Sequence, residues 1–85
     1  MTDQEKQHLR WGCRRGMLEL DLILLTFFEH RFIQLLPSEQ TAFSHLIACD
    51  DNDLIAWFMG YTTPPSSFGH IVKVINDHAK ASLRN

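Results

Sequence analysis

Apolar residues recur along this chain in blocks of helical period, separated by short polar breaks. The longest block runs from Leu22 to Leu36 and predicts a helix over about Met17 to Leu36. Its Leu20, Leu24, Phe27, Phe28, Ile33, Leu35 and Leu36 cover more than one face, as in the central helix of a bundle. Pro37 is expected to end it, because a proline disfavours helical geometry in the residue before it. Phe43, Leu46 and Ile47 form the stripe of a following helix, capped by Ser38 with Glu39 in its first turn. Leu54, Trp57 and Phe58 mark a shorter helix opened by Asp51 or Asn52, with Gly60 as its stop. After a loop over Tyr61–Ser67, Ser66 or Ser67 caps a last helix carrying Ile71, Val74, Ile75, His78 and Ala79 on one stripe. Upstream, Thr2 or Asp3 caps a first helix reaching about Trp11, where Gly12 stops it and Gly12–Gly16 turns the chain. Strand-like alternation is missing. The expectation is an all-α helical bundle of about five short helices, one domain over residues 1–85.

Composition narrows the function. The net charge of −2 argues against a general nucleic-acid binder, whose affinity comes from neutralising phosphates. Lys6, Arg10, Arg14 and Arg15 gather near the start and Asp50, Asp51 and Asp53 near the middle, a polarity suited to a protein partner. The first residues lack the apolar core of a signal peptide, and Glu29, His30 and Arg31 interrupt the Leu22–Leu36 run well short of about 20 apolar residues. A cytoplasmic protein without membrane insertion is expected. Cys13 and Cys49 match no zinc spacing and read as small apolar residues; the five histidines show no ligand pairing. Arg14 and Arg15 beside Cys13 would favour a thiolate, yet no base is identifiable for a catalytic thiol. The Asp50–Asp53 cluster lacks the later ligands of a calcium loop and reads as helix capping.

The stretch Arg14-Arg15-Gly16-Met17-Leu18-Glu19-Leu20-Asp21 carries more polar chemistry than a helix start needs. On a continuous helix Arg15 and Glu19 would face the same side, but a surface pair contributes only about 0–1 kcal/mol. Gly16 between them permits a positive φ or close approach of another backbone, which suits a docking corner. Asp21 lies roughly 200° round the helix from Glu19, toward Leu24 and Phe28. A carboxylate there needs partners, and Arg14, Arg15 or the amides of the Gly12–Gly16 turn are the candidates. Trp11 reads as core or rim; exposed beside Arg10 and Arg14, it would be an interface anchor.

Arg15-Gly16-Met17-Leu18-Glu19-Leu20-Asp21 resembles the RGxxExD signature of the small FAD assembly factors of the SdhE/YgfY type. The likeness continues through Trp11, Cys13-Arg14, Phe27-Phe28-Glu29-His30, Phe43, Cys49-Asp50-Asp51, Asp53-Leu54 and Trp57, in order and spacing. Asn52 stands where that family often has proline, and the last helix is similar only in kind. The resemblance implies a five-helix, chaperone-like protein that promotes covalent FAD attachment to the flavoprotein subunit of succinate dehydrogenase and of fumarate reductase. It implies no enzymatic activity of the chain itself and no stably bound cofactor, the flavin being handled on the partner. Arg15, Gly16, Glu19 and Asp21 would lie on the docking surface, with Arg14 and Trp11 counted in the same partner-binding region. Within it, Arg15, Gly16 and Glu19 are expected to face the partner, and Asp21 and Arg14 to brace them. A monomer is expected. Some members also carry an antitoxin role (CptB) against a membrane-associated toxin, an alternative of a different class.

Overall fold

The computed structural model describes residues 2–83; Met1, Arg84 and Asn85 lie outside the described residues. Thr2 opens the first helix, α1 (Asp3–Gly12), its hydroxyl oxygen accepting the Glu5 amide at 3.1 Å. Asp3 and Glu5 in the first turn and Arg10 in the last complement the helix dipole. Gly12 closes α1, but not as the left-handed stop expected of it. Positive φ is confined, among the described residues, to Gly16 and Gly60. Gly12 instead sits where α1 meets the third helix, and a β-carbon there would overlap the Cγ2 of Ile47.

The central helix α2 (Leu18–Arg31) is shorter than the apolar run predicts. A 3-10 turn, Phe32–Gln34, follows it, and Leu35 and Leu36 are extended. Pro37 accounts for the last of these residues. It forces Leu36 out of the helical region (ψ 152°), yet its own fixed φ and missing N–H suit the first helical position. Pro37 therefore begins α3 (Pro37–Ile47) as well as ending what precedes it. Leu36, not Ser38, holds the cap position, and the Glu39 carboxylate accepts the Leu36 amide at 2.9 Å. Gln40 Nε2 donates to the Phe32 carbonyl at 3.0 Å, fixing the 3-10 turn to α3.

Asp50, one residue earlier than expected, holds the cap position of α4 (Asp51–Phe58), through its carbonyl, which accepts the Leu54 amide at 3.1 Å, and not through its side chain. This helix ends at Gly60 (φ 77°) as predicted: the Tyr61 amide reaches the Ala56 carbonyl at 2.8 Å and the Gly60 amide that of Trp57 at 3.4 Å. The last helix, α5 (Ser66–Leu83), starts at Ser66 itself, with the Pro65 carbonyl taking the first amides, those of Phe68 and Gly69.

All five helices are present without strands among the described residues, an all-α bundle. Leu24 and Phe27 of α2, Phe43 and Leu46 of α3, Leu54 of α4, and Ile71 and Ile75 of α5 are fully buried together. Phe27 stacks on Phe43 with ring centroids 5.7 Å apart, and Phe32 meets Phe43 edge-on at 5.6 Å. Truncating one such ring costs about 3–5 kcal/mol, a large share of the roughly 5–15 kcal/mol that holds a small domain folded. Trp57 packs on Phe68 at 5.6 Å, tying α4 to α5. Trp11, by contrast, is 80% exposed. No helix of the described residues is long and apolar enough to cross a membrane.

Candidate docking site

The Cys13–Met17 turn is held from two directions. From α2, the Asp21 carboxylate accepts the Arg15 amide at 2.7 Å and the Gly16 amide at 3.3 Å. The half-buried Asp21 thus has the backbone partners the sequence demanded for it. These two bonds hold consecutive amides on one side while Gly16 takes φ 80°, which swings Met17 into extended geometry ahead of α2.

From the other side the turn is anchored by Arg15. Its Nε donates to Asp51 Oδ1 at 2.6 Å, and its Nη1 to the carbonyls of Gly12 and Ile47 at 3.0 and 2.7 Å. Nη2 donates to the Cys49 carbonyl. The guanidinium therefore satisfies carbonyls left open at the ends of α1 and α3 and meets a carboxylate at the start of α4. Its side chain is only 14% exposed. The i, i+4 pairing of Arg15 with Glu19 does not form. Helix α2 begins at Leu18, so Arg15 lies outside it and points into the molecule. Arg15 thus belongs with Asp21 in the brace, whereas Arg14, expected in the brace, is exposed.

Outward of this brace, Gly16, Met17, Leu18 and Glu19 are all exposed. They border a groove of about 610 Å³ whose far wall is Ile55, Phe58, Met59 and Tyr61 at the end of α4, with Ile23 toward its floor. A left-handed glycine shapes each wall: Gly16 before α2 and Gly60 after α4. Neither would meet a neighbour if given a β-carbon, so both are set by backbone geometry alone. Glu19 is the one charged residue lining an otherwise apolar groove. Around the corner, Trp11 shares a second concave surface with Gln7, Arg10 and Arg14. Arg10 is partly committed to Glu29 at 2.7 Å.

Cys13 is fully buried under the turn. Burial pushes its thiol up to about 12, overcoming the nearby Arg15 that would lower it. The thiolate that the neighbouring arginines suggested is therefore not favoured. Two features escaped the sequence: Asp51 as the partner of Arg15, and the α4 wall of the groove. Both depend on how α3 delivers α4, which no local spacing reveals.

The family model for Sdh5, flavinator of succinate dehydrogenase, matches residues 7–79. The chain belongs to this flavinator family. A FAD assembly factor SdhE from Aliivibrio fischeri is 42% identical over 82 residues, covering 95% of each chain. Another from Vibrio vulnificus is 52% identical over 60 residues, 71% of this chain and 70% of its own length. The solution structure of a UPF0350 protein superposes with a TM-score of 0.78 at 40% identity, over 99% of this chain and 92% of that one. In this member of the family the chain forms the bundle described above, with Arg15–Asp21 at the turn into α2.

Proposed function

We propose that this chain promotes covalent attachment of FAD to the flavoprotein subunit of succinate dehydrogenase, and of the related fumarate reductase, by docking on the immature flavoprotein. The observation that carries the reading is how the RGxxExD stretch divides. Arg15 and Asp21 turn inward and fix the turn, while Gly16 and Glu19 are left outward on the rim of an apolar groove. Trp11 and Arg14, just upstream in the chain, line a separate exposed concavity that we count in the same partner-binding region.

The chain acts as a cytoplasmic, monomeric and non-enzymatic factor. Flavin, and the residue that bonds to it, both belong to the flavoprotein. Docking favours the flavoprotein arrangement in which the two already lie close, and orientation of this kind can lower a barrier by up to about 7–11 kcal/mol without a new nucleophile. In-gel fluorescence of covalent flavin on the dehydrogenase subunit tests the reading. Cells lacking this chain should show a weak band that the wild-type gene restores, and a band of equal strength without the gene would refute the role.

A further inference from the structure

The Trp11 surface differs in character from the groove. Gln7, Arg10, Trp11 and Arg14 follow one another along a single face of α1 and its continuation, where the Arg14 amide still bonds the Trp11 carbonyl at 3.0 Å. An indole with most of its area in water, set between two guanidiniums, contributes nothing to the core. Arg10 has one nitrogen on Glu29. The Arg14 side chain has no ion pair among the described residues. Lys6 lies four residues before Arg10 and extends the row of cations. The molecule carries a net charge of −2, so this face is locally opposite in sign to the whole. That local excess is too small for a polyanion, whose capture needs many neutralised phosphates.

Resting on the docking role above, we infer that the Trp11 face receives an acidic segment of the flavoprotein partner, whose carboxylates pair with Arg14 and Arg10 while an apolar side chain packs on the indole. The size fits a short peptide. Seven helical steps from Gln7 to Arg14 span about 10 Å, the reach of roughly three extended residues. Planar guanidiniums suit carboxylates bidentately, and a large aromatic between them supplies the apolar anchor of an interface. The groove at Glu19 then takes the less acidic part of the partner, so the two surfaces together fix its orientation.

The test is binding of the purified full chain to the FAD-loaded but not yet covalently modified flavoprotein subunit, at about 50 mM and about 300 mM salt. Arg14→Glu should weaken binding at least about tenfold at low salt and much less at high salt, because a rim charge acts through screened attraction. Trp11→Ala should weaken it at both. Lys73→Glu, an exposed charge change on α5, should leave it unchanged. Wild-type binding by Arg14→Glu and Trp11→Ala would overturn the inference while leaving the docking role standing. Normal flavoprotein binding by both variants, with loss of binding to phosphatidylglycerol vesicles, would reassign the face to a lipid surface. Failure of the wild-type chain to bind the flavoprotein at all would instead remove the docking role on which the inference rests.

Discussion

Four hydrogen bonds leave the Arg15 guanidinium: three end on carbonyls at or just past the ends of α1 and α3, which the helices leave open, and one on the Asp51 carboxylate at the start of α4. A lysine carries the same charge but offers three donors from one point, and cannot reach the Gly12, Ile47 and Cys49 carbonyls and Asp51 together. Arg15→Lys should therefore destabilise the fold by about 2–3 kcal/mol, since a hydrogen bond to a charged group contributes about 1.5–3 kcal/mol. Thermal unfolding checks this, and a midpoint lowered by on the order of 10 °C is expected. An unchanged midpoint would mean that the guanidinium does not hold the helix ends. For this family signature the consequence is specific. Loss of function in an Arg15 variant has to be separated from loss of fold, whereas Glu19 is exposed and free of that ambiguity.

At the scale of elements, the two glycines near the turn do different jobs. Gly16 sits in open space and is needed for its φ; Gly12 is needed for the absence of a side chain where α1 approaches α3. Ile47 is β-branched and stiff, so its methyl cannot easily yield to an added carbon. Gly12→Ala should accordingly destabilise by about 1–3 kcal/mol, the usual cost of overpacking, despite alanine's better helix propensity. Chemical denaturation measures it, and a stabilised variant would contradict the packing described. The sequence announced every helix because apolar spacing, the Thr2 cap and the Gly60 stop are local signals. It overextended α2 because Leu35 and Leu36 fit the apolar pattern while Pro37 imposes extended backbone just before itself. Asp21's partners were legible for the same local reason, lying five and six residues away. Arg15's pairing with Asp51 spans 36 residues and could not be read from spacing. The unusual turn into α2 was thus visible in the sequence, while the division of its residues into inward-facing and exposed ones came only with the packing of α3 and α4.

The whole molecule responds to acid through groups that tie the helices together. His78 of α5 packs edge-on against Phe27 at 5.6 Å and lies 5.8 Å from the His30 ring. Burial, then Arg31 and His30, hold its pKa below the ordinary 6.5. A depressed histidine favours the folded state fully above 6.5, and that contribution is lost as pH falls through the lowered value, because the unfolded chain binds the proton more readily. Glu39 is also held below its usual 4.5, by the Leu36 amide and then by His70, so a second loss follows at lower pH. The urea midpoint should fall between pH 7.5 and 5.5, and His78→Gln should flatten that slope; an equal slope in the variant would exclude His78 as its source.

These scales meet in the proposed docking surface, where the braced turn presents Gly16 and Glu19 beside an apolar groove. The most direct test is a time course of covalent flavin incorporation into purified flavoprotein subunit, with wild-type chain or Glu19→Ala, at a temperature where both are folded. The account predicts that wild type accelerates incorporation, and that Glu19→Ala, with an unchanged unfolding midpoint, loses most of the acceleration. Equal acceleration by the two proteins would contradict it.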